Sequence, residues 1–421
     1  MKKLIIYNFI LRIIGMGLSF IYVPKVLDYL GVFNYGIWAT ILAILSWINF
    51  CDIGIGNSLR TNLVKYIENK DEKMAKKLVS TAYINITIIS IFLFILLFIF
   101  LKVFNTTELL NVEYKYLNKL LLISFSFVII NFILSLCKPI YYALQKPYMV
   151  SLIEISMQLT NIFGVLYFLY LKKENNLIYI AILYGGASLF ANILYTLFLF
   201  KKYKYLIPSV KYYDKKLNSI IGSLGLKFFI LQIVVVILFT TDSVIITKLF
   251  GPEEVTPYNI ANKIYGVFIS MYSILLTPLW SKISQEKSRK NYIWIEKTLH
   301  NLKLFFIVII LGMGVFYIIY PYITKIWLGR DIIYPNYLLI NILFYVLLSI
   351  WCNNYAYIMN GMGKVDLQVK IAIIQGIINI PISIYLGHKI GVSGIVLGTN
   401  ICMAIPAVLY PLKFKIIEEK K

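Results

Sequence analysis

The sequence predicts an all-α membrane protein, with about twelve transmembrane helices in two parallel six-helix lobes around a central cavity, on three observations. First, 60% of the 421 residues are hydrophobic and 14% are charged, whereas a soluble domain carries roughly a quarter charged residues. Mean hydropathy is +0.79. Second, apolar runs of bilayer length recur along the whole chain, as in residues 83–101 (YINITIISIFLFILLFIFL) and 301–320 (NLKLFFIVIILGMGVFYIIY). A helix of about 20 residues covers the roughly 30 Å of hydrocarbon. The runs are continuous rather than alternating, which fits helices and excludes an outer-membrane barrel. Third, the second half of the chain echoes the first.

Helices are expected near 4–23, 35–53, 81–101, 119–137, 149–171, 177–200, 220–247, 258–281, 301–322, 336–358, 367–387 and 393–412. They group into an N-terminal lobe (1–200), a cytoplasmic linker (201–219), a C-terminal lobe (220–413) and a cytoplasmic tail (414–421). Of the 41 Lys and Arg residues, 26 fall on the side of the membrane shared by both termini. That bias places both termini in the cytoplasm. The opening MKKLIIYNFILRIIGMGLSF has the charge and apolar run of a signal peptide. It lacks a small-residue cleavage site and carries Arg12 within the run, so a retained first helix is expected. The segment 57–77, with Leu63, Ile67 and Met74 among charges, reads as an amphipathic continuation of the second helix or a helix lying along the headgroups.

Several classes drop out on composition. The net charge of +22 sits in the loops between apolar runs, which is topology rather than a nucleic-acid surface. Cys51, Cys137, Cys352 and Cys402 form no CxxC pair, so neither a disulfide framework nor a metal site is indicated. His300 and His388 stand at predicted helix ends on different sides. No cofactor is expected, and the absence of GxxxxGK[ST] argues against direct ATP coupling.

The internal repeat is the main organising feature. DYLGVFNYGIWA (28–39) echoes KLFGPEEVTPYNIA (248–261), each an apolar helix, a Gly turn and a Tyr opening the next helix. YYALQKPYMV (141–150) echoes YIMNGMGKVDLQV (357–369). Asn131 then pairs with Asn353 and Gln158 with Gln375. Two like halves suit a transporter; a single active site does not require them.

Charged side chains inside a bilayer cost roughly 2.5–3.5 kcal/mol each on insertion scales, so those present should face a wet interior. Helix 1 carries Asn8, Arg12, Gly15, Ser19 and Tyr22 on one stripe, and helix 7 carries Lys227 and Asp242. Helix 8 carries Asn259, Lys263, Gly266, Ser270, Ser273 and Thr277. Helix 4 offers Ser124, Asn131 and Ser135; helix 5 offers Glu154, Gln158 and Asn161; helix 11 offers Gln368, Gln375, Asn379 and Ser383. Small and amide residues also glue helices together, which is the plainer account of any single one. Packing explains Arg12, Lys227 and Lys263 less well, although each lies near enough to a helix end to snorkel. A cavity of cations and amides suits an anionic, hydroxyl-rich substrate: Arg12, Lys227 and Lys263 for phosphate, Asn8, Asn259, Gln158 and Gln375 for hydroxyls.

Residues 29–60 (YLGVFNYGIWATILAILSWINFCDIGIGNSLR) resemble the N-terminal signature of Wzx-type polysaccharide or O-antigen flippases, in the multidrug/oligosaccharidyl-lipid/polysaccharide exporter superfamily. Residues 240–284, from TTDSVIITKLFGPEEV onward, resemble the start of that family's second half. The resemblance implies a flippase of the bacterial inner membrane that moves undecaprenyl-pyrophosphate-linked oligosaccharide by alternating access. It implies membrane lipid and the lipid-linked oligosaccharide as partners, with polysaccharide polymerase machinery beside them. Asp242 matches a family pattern, as do Asp52 and Arg60, which then read as an ion pair or hinge at a cytoplasmic gate. Coupling to H⁺ or Na⁺ would use an intramembrane carboxylate, Asp242 or Glu154.

Four alternatives remain open, among them a structural or scaffold protein, which the polar stripes disfavour. A multidrug exporter of the same superfamily would favour carboxylates over cations. A peptidoglycan-precursor flippase would have two more helices. A polytopic glycosyltransferase or polymerase would want a large outer loop or paired outer acids, and the first outer loop offers only Asp28.

Overall fold

The computed structural model describes residues 2–48, 54–172, 176–217, 240–362 and 366–413. Every regular element among them is helical. Contacts divide the chain into two compact units, residues 1–232 and 233–421.

Unit 1 contains α1 (Lys2–Ile48), α2 (Ile55–Glu68), α3 (Glu72–Val103), α4 (Thr106–Leu110), α5 (Leu117–Leu134), α6 (Cys137–Ala143), α7 (Pro147–Tyr170) and α8 (Leu177–Lys202). Unit 2 contains α9, described over 240–250, then α10 (Val255–Ser288), α11 (Tyr292–Leu328), α12 (Leu338–Met362), α13 (Asp366–Ile390) and α14 (Val392–Lys413). Nine of these runs among the described residues are long and apolar enough to cross a bilayer. With α1 counted as two helices, and with α9 and the more polar α10, helices fall within all twelve expected spans, although residues 220–239 of the seventh and 49–53 of the second lie outside the described residues.

The expected connection between the first two helices is a single residue. The first helix runs on past residue 23 because Val26, Leu27 and Leu30 are buried, and the chain then breaks at Gly31 (φ 73°, ψ 173°). Gly251 (φ 91°, ψ 167°) breaks the chain before α10 in the same way. Both lie in a region that only glycine enters without strain. The repeat read from residues 28–39 and 248–261 is therefore a repeat of backbone conformation as well as of letters.

The segment 57–77 is neither one continued helix nor a surface float. It divides into α2 and the start of α3, with Lys70 at φ 56° and the Asp71 carboxylate capping α3 by accepting from the Met74 amide at 3.0 Å. Leu59 and Leu63 are buried against Leu78, Ala82 and Ile140. Amphipathicity alone does not say whether the apolar stripe meets lipid or protein; here α3 and α6 cover it.

The chain beyond α8 stays on unit 1. The Ser209 amide donates to Ser80 Oγ (3.1 Å) and the Asp214 amide to Thr81 Oγ1 (3.1 Å). Lys77 Nζ pairs with the Asp214 carboxylate at 3.0 Å, Lys76 sits over the Tyr212 ring, and Lys146 Nζ donates to the Tyr203 hydroxyl at 2.6 Å.

In unit 2 the seam between α13 and α14 is built on a four-residue spacing. Gln375 Nε2 donates to the Cys402 carbonyl (3.0 Å), Asn379 Nδ2 to Thr399 Oγ1 (3.1 Å) and Ser383 Oγ to the Ile395 carbonyl (3.2 Å). A Cβ on Gly398 would stand 2.7 Å from the Ser383 Cα, so glycine sets the helix spacing. By contrast, α11 leaves Leu304, Ile307, Val308, Leu311 and Ile318 exposed, a face suited to hydrocarbon and costly in water.

Two outcomes are expected. Gly398→Ala should destabilise the protein by roughly 1–3 kcal/mol through overpacking, while Gly312→Ala, whose Cβ meets nothing within 4 Å, should be neutral or slightly stabilising; thermal unfolding in detergent compares them. The Lys77 hydrogen bond holds the Asp214 carboxyl below its usual range. Its anchoring contribution is therefore complete above the ordinary carboxylate pKa and lost as pH falls through the lower, folded one. Proteolysis at Lys215 and Lys216 should accelerate in that acidic window in the wild type, and already at neutral pH in Lys77→Gln.

Candidate functional site

The polar stripe of α1 meets α7. Ser151 Oγ on α7 donates to Asn8 Oδ1 at 3.0 Å. Arg12, one turn further along, is exposed, as is Glu154 on α7, while Gln158 is half-buried. Arg60 on α2 is exposed and its guanidinium lies 4.5 Å from the centre of the Tyr142 ring. Its expected partner Asp52, like Lys227, lies outside the described residues.

In unit 2, Asn259 and Lys263 are half-buried one turn apart on α10. Ser270 turns its hydroxyl back to the Gly266 carbonyl of its own helix at 3.0 Å. Neither Arg12 nor Lys263 has an acidic partner within ion-pair distance among the described residues. Gln375, expected as a sugar-hydroxyl ligand, has its amide engaged with the Cys402 carbonyl and the Met403 sulfur.

Asp242 is the most constrained of the expected residues. It is 3% exposed on α9, and both carboxylate oxygens accept from Thr399 Oγ1 at 3.2 Å. Thr399 in turn accepts from Asn379, so one hydroxyl connects an amide on α13 to a carboxylate on α9. The Tyr258 hydroxyl of α10 is turned to the same carboxylate, and Tyr345 of α12 stands within electrostatic reach. Asn379 Oδ1 has no partner among the described residues. Four helices thus supply oxygen-rich groups around one acid, a donor set that suits a proton or a hard monovalent cation. Thr399 was not legible beforehand: a lone threonine in an apolar run carries no signal. Tyr258 lies in the repeat motif, where a structural role was reason enough for it.

A buried carboxylate at the junction of several helices, within an all-α fold of bilayer-length helices, suits a membrane transporter. The chain belongs to the polysaccharide biosynthesis protein family, whose match covers residues 1–284, and the MatE family matches residues 228–385. The Wzx-type resemblance of residues 29–60 and 240–284 is borne out by these matches. A Yersinia pseudotuberculosis protein provisionally named an O-antigen export protein is 24% identical, over 84% of this chain and 81% of its own length. A Salmonella typhimurium protein provisionally named an O-antigen transporter is 23% identical, over 94% of this chain and 91% of its own. Among solved structures, an inward-facing multidrug resistance MATE transporter superposes with a TM-score of 0.74 at 14% identity, covering 96% of this chain and 95% of its own. The lipid II flippase MurJ, in an inward closed conformation, gives 0.74 at 19% identity, covering 98% and 88%. These two show a shared fold.

Thr399→Val should destabilise the protein by roughly 1–3 kcal/mol, since it strips a buried carboxylate of its donor. Thr399→Ser should restore most of the loss. Unfolding midpoints of the two variants in one detergent decide it.

Proposed function

We propose that this protein is a flippase that carries polyprenyl-pyrophosphate-linked oligosaccharide from the cytoplasmic to the outer leaflet of the bacterial inner membrane, by alternating access and without enzymatic chemistry. The observation that carries the reading is the family match over residues 1–284, joined to relatives named for O-antigen export that align over most of both chains. The membrane cations support it. Arg12 and Lys263 have no acidic partner among the described residues, which leaves their charge available to a pyrophosphate. Lys227 joins them by residue type. The lysine-rich cytoplasmic connections support cytoplasmic termini, and the polymerase that consumes the flipped oligosaccharide is the natural neighbour.

Within this reading Asp242 binds the coupling ion, H⁺ or Na⁺. Neutralising the acid changes what the Thr399 and Tyr258 hydroxyls face, which is how occupancy would bias α9 against α10, α12 and α14. Glu154, exposed on α7, is the weaker candidate. A multidrug exporter is the second reading, favoured by the MatE match over residues 228–385. It would recognise cations, whereas Arg12 and Lys263 bring positive charge.

The deciding assay is transfer of lipid-pyrophosphate-linked sugar across a liposome membrane, with Arg12→Ala, Lys227→Ala, Lys263→Ala and Asp242→Asn compared at equal folded amounts. Transfer by the wild type should fall at least roughly tenfold in one cation variant, the loss of a charge-assisted contact. Asp242→Asn should abolish the dependence on an imposed ion gradient. Normal transfer in all three cation variants would remove the phosphate assignment. No transfer by the wild type, beside an active flippase, would leave the exporter reading in front.

A further inference from the structure

Unit 1 encloses a partly open cavity of about 190 Å³ between α1, α5 and α8, in which none of the lining residues is charged. Its polar wall is Ser46, Ser124, Asn131 and Ser188, and its aromatic wall is Trp38 and Tyr184. The two rings meet edge to face, 5.6 Å apart.

The wall is fixed. Asn131 Nδ2 donates to the carbonyls of Phe127 (3.0 Å) and Gly185 (3.4 Å), and its Oδ1 accepts from Asn192 Nδ2 at 2.9 Å. A Cβ on Gly185 would stand 2.3 Å from the Phe127 side chain, so α8 and α5 are in direct contact beside the cavity. The space is framed by tight packing rather than left by slack helices.

Two groups in that frame, Trp38 Nε1 and Ser124 Oγ, are unsatisfied among the described residues. Ser124 is 3% exposed, and its Oγ has no hydrogen-bond partner among the described residues. Buried hydroxyls are nearly always paired, and an unpaired one costs about 1–3 kcal/mol. The hydroxyls of Ser46 and Ser188 retain free acceptor lone pairs as well.

We propose that this cavity is a subsite for one neutral sugar ring of the lipid-linked substrate, an assignment that rests on the flippase reading. The wall's chemistry narrows the occupant. A cation would find no carboxylate, a pyrophosphate no positive charge, and a hydrocarbon chain would desolvate three serines and an amide for nothing. A pyranose offers hydroxyls for Ser124, Asn131 and Ser188, and a C–H face for the Trp38 and Tyr184 rings. Size agrees: a cavity of about 190 Å³ has room for one sugar ring. The subsite reads a sugar residue while the cations handle the phosphates, so it selects among glycans.

The test uses the full chain in phospholipid nanodiscs. Saturation-transfer difference NMR is recorded with free glucose, galactose, N-acetylglucosamine and rhamnose, for the wild type, Ser124→Ala, Ser124→Thr and Ser188→Leu. At least one sugar should receive saturation from the wild type. That signal should fall roughly tenfold, the worth of a lost buried hydrogen bond, in Ser124→Ala and in the cavity-filling Ser188→Leu, and persist in Ser124→Thr. Melting temperatures identify any variant lost to misfolding, and the other then decides. No saturation of any of the four sugars, or a signal in both Ser124→Ala and Ser188→Leu undiminished from the wild type, overturns the proposal. Liposomal transfer of lipid-linked oligosaccharide is run in parallel on the wild type. Transfer with a negative NMR result removes the subsite and keeps the flippase. No transfer overturns the flippase reading, and with it the assignment of this ring to a lipid-linked chain.

Discussion

Within the hydrocarbon of a bilayer, water cannot take over a backbone hydrogen bond that the protein leaves unmade. Nearly every feature of this chain follows from that constraint. It makes the described elements helices, and it restricts the breaks between them to places where a terminus can be satisfied. Gly31 and Gly251 turn the chain in one residue, so little backbone is left outside a helix. The same constraint governs side chains. Gln375, Asn379 and Ser383 of α13 are spaced so that each donates to an acceptor on α14.

Much of the architecture was legible in the letters because the bilayer imposes a length and a hydropathy on each helix, and the duplication imposes a second copy of each motif. The echo of residues 28–39 in 248–261 carried over to paired glycine conformations. What could not be read were contacts between remote helices. The amphipathic pattern of residues 57–77 gave an apolar stripe without naming its partner, and the stripe packs on α3 and α6. Gln375 read as a cavity amide and spends its donor on the Cys402 carbonyl. Thr399 had no local signature at all, since its meaning comes from an acid 157 residues earlier in the chain.

The two halves share a glycine break of like conformation, at Gly31 and Gly251, and differ in what they bury. Unit 2 places a carboxylate where several helices converge, with Thr399, Asn379 and Tyr258 about it. Unit 1 places neutral hydroxyls and aromatic rings about an open space. On the readings proposed above, the acid would sense charge and the cavity shape, and no residue of one set belongs to the other.

The anchoring of residues 203–217 on α3 has a consequence for how the protein is made. Its contacts, from Lys77 with Asp214 to Ser80 with the Ser209 amide, all join parts of the chain that precede the second half. During synthesis they can therefore close before α10 exists. Domains that emerge first generally fold first. The first half can thus have its own trailing end fastened down before the second half is made.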